Sequence, residues 1–357
     1  MRNIWSRPLA IAGAVALVAA LGVGVLVSSA PSASAAGPAS LAYPFGIACG
    51  STSSCQVVGD TTSFAGLIFG TADAGVTWSQ ERVPSNLTFP DKLISRYVTC
   101  PSRSECLALG DQGNHPAILR TANGGVSWSA VSLPRALRKG YAAVACGSAA
   151  QCVAAAPYVS EFVIGTHNGG KSWSHEALPA GAGGGIPDMS CGSANHCQLV
   201  VGNSVLGTTN GGRTWVLEHL PKAVASANFD LVSCHSAGSC LATGNVSGSR
   251  VVSIRTANGG KSWTAGKVPG GAQQDVQLSC GSNSACLGIF ITSSSVELLK
   301  TSNAGRSWSP VKLPSGFGAG DIACVSRTVC EAVGGDGTSA FALRTTNGGA
   351  TWTVNPV

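Results

Sequence analysis

Charged residues are scarce in this chain: Asp, Glu, Lys and Arg together make up 11% of its 357 residues. Methionine is nearly absent, with two residues, whereas glycine occurs 47 times. An amphipathic helix needs a polar face, so this composition disfavours a helical protein and favours many short strands joined by tight turns. Arg2 and Arg7 carry two of the six net positive charges. The remaining cations form no run along the sequence, which argues against binding of nucleic acid.

Metal-binding spacing is missing as well. No Cys-x2-Cys pair occurs, and the six histidines are scattered without regular spacing. Zinc sites need clustered ligands, so we predict neither a metal nor a cofactor. The 16 acidic residues are also scattered, and no repeat shows a pair of carboxylates with a defined role.

Residues 1–36 have the features of an export signal. Arg2 and Arg7 form a basic start, an uncharged apolar stretch follows, and Ala33-Ser34-Ala35 offers the small residues that a signal peptidase needs. An apolar stretch of about 19 residues can also span a bilayer, so an uncleaved membrane anchor stays the alternative. Either way we expect residues 37–357 outside the cytoplasm, in a secreted or surface-associated protein with no other membrane segment.

Cysteines occur only as pairs with five residues between them. An even number of cysteines after an export signal predicts disulfides, because a hairpin brings two such residues within the bridging range of about 4.4–6.8 Å between Cα atoms. Free, inert thiols are the alternative. The pairs are Cys49 and Cys55, Cys100 and Cys106, Cys146 and Cys152, Cys191 and Cys197, Cys234 and Cys240, Cys280 and Cys286, and Cys324 and Cys330.

An octapeptide recurs seven times, with 42 to 50 residues between the starts of successive copies. Its form is Thr-x-[Asp/Asn]-[Gly/Ala]-Gly-x-[Ser/Thr]-Trp. The side chain of Asp or Asn accepts backbone N–H groups in a turn, and Trp buries a large apolar surface. Asn cannot act as a general base, so a catalytic role is disfavoured. The third and eighth residues are Asp73 and Trp78, Asn123 and Trp128, Asn168 and Trp173, Asn210 and Trp215, Asn258 and Trp263, Asn303 and Trp308, and Asn347 and Trp352.

One repeat contains a segment ending at the first Cys, a strand after the Cys loop, a third strand that runs into the octapeptide, and a fourth strand that carries the Trp. Four short strands per repeat are typical of a propeller blade. We therefore predict an all-β, seven-bladed β-propeller of four-stranded antiparallel blades. Each blade has one Asp-box-like turn and one disulfide in its Cys-x5-Cys hairpin.

Over residues 41–357 these octapeptides resemble the Asp-box, or bacterial neuraminidase repeat, propellers. That family includes sialidases, the sortilin ectodomain and propellers of the photosystem II assembly-factor type. The resemblance implies a propeller with the box between the third and fourth strands of each blade. A cysteine pair in every blade is similar to exported actinobacterial propellers. The Arg-Ile-Pro sequence typical of sialidases is absent from the chain, so we carry over no catalytic residue.

Strand order predicts that Cys loops and octapeptides emerge on one side of the propeller and that irregular loops emerge on the other. Function usually resides on variable loops over a rigid scaffold. We therefore predict a monomeric, non-enzymatic binding or scaffold protein whose partner is a protein or a cell-surface glycan. The alternative is a sialidase-like glycoside hydrolase or a carbohydrate-binding lectin. For any single residue of this face, ordinary loop polarity is a more frequent explanation than a binding contact. The candidate contacts are Phe89, His115, Arg135, Arg138, Tyr141 and Tyr158.

Overall fold

The computed structural model describes residues 40–89, 96–113, 115–138, 140–157, 162–246, 250–268, 271–335 and 338–357. The predicted export signal lies outside these ranges. Residues Ser40–Val357 form one compact unit. Within the described part of the chain, no helix is long and apolar enough to cross a membrane.

Seven antiparallel sheets follow one another along the chain, which confirms the seven-bladed β-propeller. In six of them, four strands are hydrogen-bonded in chain order from the first to the fourth. Their bounds are Tyr43–Cys49, Cys55–Asp60, Gly66–Thr71 and Ser79–Gln80 in blade one; Ala143–Cys146, Cys152–Ala155, Val163–Thr166 and Ser174–Glu176 in blade three; Asp188–Cys191, Cys197–Val201, Ser204–Thr208 and Val216–Leu217 in blade four; Asn228–Ser236, Ser239–Val246, Arg250–Thr256 and Thr264–Lys267 in blade five; Gln274–Cys280, Cys286–Ile291, Val296–Thr301 and Ser309–Val311 in blade six; and Asp321–Cys324, Cys330–Gly335, Ala340–Thr345 and Thr353–Pro356 in blade seven.

Blade two departs from this pattern because its first strand is split. Leu87–Thr88 and Val98–Thr99 both pair with Cys106–Gln112, at opposite ends of that strand. The sheet continues with His115–Thr121 and Ser129–Ala130. The described part of the chain also contains two short 3-10 helices, Arg135–Leu137 before blade three and Lys222–Val224 before blade five.

All seven octapeptides form the same hydrogen-bonded turn. The Thr hydroxyl donates to the Asp or Asn side chain at 2.8–3.1 Å. It also accepts the N–H of the fifth residue at 2.9–3.0 Å. The Asp or Asn side chain accepts the N–H of the seventh residue at 2.9–3.1 Å. The fourth strand begins only after the Trp, so our prediction that this strand carries the Trp is wrong: the Trp still belongs to the turn.

Each Trp packs between its own blade and the preceding one. Trp128 lies in a cluster with Ile68 of blade one, and Trp215 lies in a cluster with Val153 of blade three. Seven such clusters, one at each blade interface, make up the core. The core of this protein therefore lies between the sheets, and no blade covers both of its faces alone.

The cysteines of every pair are direct cross-strand neighbours and form the seven predicted disulfides. Their Cα atoms are 3.9–4.1 Å apart. This is shorter than the range that we expected. The reason is their position in the ladder: Gly50 N–H donates to Ser54 O just inside the first pair, which leaves Cys49 and Cys55 in a non-hydrogen-bonded pair, where strands approach most closely.

Among the described residues, the first and last blades share no strand, and the ring closes through contacts between them. Ile47 N–H of blade one donates to Asp321 Oδ2 of blade seven at 2.8 Å. Ala340 N–H donates to Leu41 O at 2.9 Å, and Asn355 Nδ2 donates to Gly75 O at 2.8 Å. Closure therefore depends on side-chain and loop contacts, both near the axis of the ring and towards its outer edge.

The fourth octapeptide residue allows a test of the turn. It adopts positive φ in every copy and is Gly in five of them, but Ala304 has φ 57°. A left-handed L-residue is strained by about 1–2 kcal/mol, partly offset by the greater chain entropy of unfolded Gly. We expect Ala304→Gly to raise the free energy of unfolding by about 0.5–1 kcal/mol, measured by denaturant titration with disulfides intact. Gly124→Ala, the reverse change, should lower it by a similar amount. A destabilised Ala304→Gly variant would contradict this account.

Candidate functional site

Direct contacts define the two faces of the propeller. In every blade the fourth octapeptide residue donates its N–H to a carbonyl of the Cys loop of the same blade, at 2.8–3.0 Å. Both kinds of turn therefore lie on one side, as the strand order predicted. We call this side the octapeptide face. The opposite side, with the loops between blades and between second and third strands, is the variable-loop face.

Three of the predicted contact residues are exposed on the variable-loop face. Arg135 opens the 3-10 helix before blade three, and Arg138 follows that helix and donates from Nε to Leu133 O at 3.1 Å. His115 begins the third strand of blade two. Tyr158 lies outside the described residues. The exposed set therefore comes from blade two and from the loop between blades two and three.

Two other candidates are core residues, and their prediction as surface contacts is wrong. Phe89 is 2% exposed and Tyr141 is 6% exposed. Phe89 directly follows the strand Leu87–Thr88 and Tyr141 follows a loop, but both rings turn inward, because packing between two blades removes a large aromatic surface from water. The hydroxyl of Tyr141 donates to Leu137 O. Burial raises the pKa of Tyr141, which disfavours its use as a nucleophile.

A charged cluster that we did not predict lies among the first strands. Arg96, which precedes the first strand of blade two at Val98, donates to both carboxylate oxygens of Asp188 in blade four, at 3.2 and 3.3 Å. It also donates to Val232 O in blade five at 3.2 Å. The first strand of a blade is the innermost, so the Arg96 side chain extends across the centre of the ring from blade two to blades four and five.

Two further carboxyls lie near this pair, since Asp321 interacts with the charge of Arg96 and Asp275 with that of Asp188. Asp321 accepts the N–H groups of Ile47 and Ile322 at 2.8 and 2.6 Å. Asp275 accepts the hydroxyl of Thr243 at 2.5 Å. Their burial, 7% and 5% exposed, means that neither carboxyl is freely hydrated.

Desolvation sets the protonation of these groups. Burial raises the pKa of Asp321 to about 7, against the opposing effects of its hydrogen bonds and Arg96. Burial, followed by repulsion from Asp230, raises the pKa of Asp275 to about 7. Burial also raises the pKa of Asp230 to about 6. Ionising a carboxyl in a low-dielectric site is costly, so these residues retain protons close to neutrality.

No single repeat carries such a pair in the sequence, but the ring brings together carboxyls from four different repeats: Asp188, Asp230, Asp275 and Asp321. One signal was available in the sequence: Asp188 and Asp321 both lie three residues before the first Cys of their pairs. Equivalent positions in different repeats become neighbours at the centre of a ring. Both Asp188 and Asp321 already have partners: Asp188 accepts from Arg96 and from Val232 N–H, and Asp321 accepts two backbone N–H groups.

A shallow cleft opens between blades three and four on the variable-loop side. Its lining is apolar and glycine-rich, and includes Ala156, Phe162, Leu178 and Pro187. The space inside is about 10 Å³, room for a single water molecule. Among the described residues, no group of three or more His, Cys, Asp or Glu could hold a metal ion.

No protein-family model matches this chain, and no curated protein matches it. Solved structures do. YCF48 from Cyanidioschyzon merolae is 18% identical with a TM-score of 0.61, over 87% of this chain and 96% of that one. YCF48 bound to D1 peptide is 14% identical with a TM-score of 0.55, over 89% and 94%. The GH74 xyloglucanase from Xanthomonas campestris is 14% identical with a TM-score of 0.55, over 87% of this chain and 60% of the enzyme. At these identities the likeness shows the propeller fold alone.

Buried carboxyls with raised pKa values predict a fold that is most stable in acid. Glu81, whose Oε2 accepts the indole N–H of Trp128, also has its pKa raised by burial to about 7. The unfolded chain releases these protons near pH ~4, but the folded chain keeps them until pH ~7. The stabilisation from these carboxyls is therefore complete below their pKa values in the unfolded chain. It is lost as the pH rises through their pKa values in the folded chain.

We expect the Tm, followed by circular dichroism, to be about 5 °C lower at pH ~8 than at pH ~5. Glu81→Gln keeps an acceptor for Trp128 but removes one titrating group, so it should narrow the gap. A Tm that rises from pH ~5 to pH ~8 would contradict the assignment.

Proposed function

We propose that this protein is an exported, non-enzymatic binding propeller that recognises a peptide segment of a protein partner through its variable-loop face. The seven disulfides are typical of an oxidising, extracytoplasmic environment. Export itself is supported by the features of residues 1–36. A protein-binding role is favoured because the propeller is a rigid scaffold that carries variable loops on one face.

One observation carries the non-enzymatic reading: the central carboxyls serve the fold. Asp188 accepts Val232 N–H at 2.9 Å as well as the Arg96 guanidinium. Asp321 has a backbone donor from blade one. A catalytic carboxyl must reach its substrate, whereas these two are 0% and 7% exposed and link neighbouring blades.

A chain of contacts suggests the binding site. The helix Arg135–Leu137 is tied to Tyr141, whose hydroxyl donates to Leu137 O. The Tyr141 ring lies 6.5 Å from the ring of Phe162, centroid to centroid, and Phe162 lines the cleft between blades three and four. These contacts connect the segment that carries two exposed arginines to the lining of an apolar cleft. Because the cleft holds no more than a water molecule, this combination fits a peptide that offers a carboxylate to the arginines and lays an apolar side chain across the mouth of the cleft. YCF48, a similar fold, has been solved with a peptide bound.

The test compares two double variants that remove the same charge. We expect Arg135→Gln with Arg138→Gln to lose about tenfold or more in affinity for the partner, since hydrogen bonds to charged groups contribute about 1.5–3 kcal/mol. The partner would be identified by cross-linking in extracytoplasmic extract, and affinity measured by calorimetry. The control, Arg103→Gln with Arg327→Gln on the octapeptide face, should bind it normally. Equal losses in both variants would contradict a site on the variable-loop face.

Glycoside hydrolysis is the second candidate, and the convergence of four carboxyls is the observation that favours it. The similar fold of a GH74 xyloglucanase is compatible with it. Glycosidases need two carboxyls about 5–10 Å apart that reach the sugar. We expect no turnover of fluorogenic sialosides, xyloglucan oligosaccharides or common aryl glycosides. Turnover that disappears in a folded Asp275→Asn variant would establish the enzyme.

A further inference from the structure

The sixth octapeptide residue varies in a way that only the ring makes visible. Its side chain is cationic in four consecutive blades, from three to six. These residues are 42 to 48 residues apart in sequence, but they occupy the same position in neighbouring turns of one face. All four are exposed: Lys171, Arg213, Lys261 and Arg306.

Two further cations extend this arc through the Cys loops. Arg103 in blade two and Arg327 in blade seven each lie three residues after the first Cys of their pair, and both are exposed. The Cys loops contact the octapeptides directly, so these arginines belong to the same face. Six of the seven blades thus contribute an exposed cation to the octapeptide face. We call these six residues the basic ring.

Acidic residues on this face do not neutralise the basic ring. Glu105 is paired with Arg120 at 2.8 Å, and Glu331 is paired with Arg344. In the described residues the exposed carboxylate of this face is Asp73 of blade one, whose oxygens accept hydrogen bonds from its own turn. Blade one is the only blade without a member of the basic ring. Beneath the turns, Glu218 accepts the indole N–H of Trp263 and burial raises its pKa, and Glu176 is buried beside Ser174. The remaining sector therefore carries a net positive charge at its surface.

A seventh cation strengthens the field in one sector. Arg255 occupies the repeat position of Arg120 and Arg344, but blade five has no glutamate to match theirs. Burial and then the nearby charge of Arg306 lower the pKa of Arg255. Its buried Nε has no acceptor in the described part of the chain. Two arginines side by side without a carboxylate favour an anion from outside the protein.

In blades one and two the sixth octapeptide residue is apolar instead of cationic. Val76 is 66% exposed and Val126 is 59% exposed. Both extend from turns on the octapeptide face, beside the gap in the basic ring. An exposed apolar sector next to cations is typical of surfaces that bind the interface of an anionic membrane.

We propose that the octapeptide face docks flat on a bilayer surface that contains anionic lipid headgroups. The seven turns occupy equivalent positions around one axis, so their tips lie in a plane. A planar array of headgroups meets all six cations at once, whereas a linear polyanion would have to curve around the axis to do so. Val76 and Val126 then reach the interfacial region beside the cations. Docking in this way leaves the variable-loop face, with Arg135 and Arg138, directed away from the membrane.

The test uses the full chain and measures lysine acetylation by mass spectrometry. This method reports each lysine separately, so contact of one face with the bilayer is distinguished from attachment of the chain through residues 1–36. Vesicles of phosphatidylcholine with phosphatidylglycerol should slow acetylation of Lys171 and Lys261 by about fivefold or more. Acetylation of Lys222, exposed on the opposite side before blade five, should be unchanged. Vesicles of phosphatidylcholine alone should protect none of the three, and high salt should abolish the protection because it screens exposed charges.

Charge-matched variants complete the experiment. Arg213→Gln with Arg306→Gln should weaken the protection of Lys171 and Lys261 by about 25-fold in lipid concentration, since each cation near an anionic surface contributes about fivefold. Arg135→Gln with Arg138→Gln should leave it unchanged. Three outcomes would overturn the proposal: no protection by anionic vesicles, equal protection of Lys222, or protection by soluble polyglutamate with none by vesicles. The last would assign the basic ring to an acidic polymer.

Discussion

A four-stranded sheet has two faces and cannot bury either of them by itself, and the rest of this structure follows from that constraint. Each blade covers a face of the next, and the Trp at the end of each octapeptide fills the gap between the two. Burial of apolar surface is the main favourable contribution to folding. It is obtained here only when all seven blades are in place and the first meets the last. Stability thus requires ring closure, and the hydrogen bond from Ile47 to Asp321 joins the first blade to the last.

The same constraint explains why polar groups are buried at the centre. The first strands converge there, and each has an unpaired edge directed towards its neighbours. Side chains satisfy those edges: Asp188 accepts Val232 N–H, and Ser190 accepts Cys234 N–H at 2.9 Å. Carboxyls suit this task because each offers several acceptor sites. Their burial raises the pKa values of Asp275 and Asp321, so the pH dependence of stability follows from the way the ring is joined.

Division of the propeller into two faces also has chemical consequences. The octapeptide face is built from repeated, hydrogen-bonded turns. Side chains at one position of the repeat therefore recur at regular intervals around a rigid surface. The basic ring arises in this way. The variable-loop face is irregular, and its loops differ in length and composition from blade to blade. Regularity suits contact with an extended, uniform surface, whereas irregularity suits recognition of one particular partner.

Sequence alone determined the number of blades, the disulfide pairing and the turn at each octapeptide, because these depend on local spacing within one repeat. It did not determine which aromatic side chains are buried: Phe89 and Tyr141 lie in irregular segments between repeats, but packing between neighbouring blades buries both rings. Nor did it show Arg96 beside Asp188, or Lys171 in line with Arg213 and Lys261. Those residues lie in different repeats, and their proximity exists only once the ring closes. Local hydrogen bonding fixes each turn within a few residues, but burial and charge depend on which blade lies beside which, and that is decided by the packing of sheets against one another.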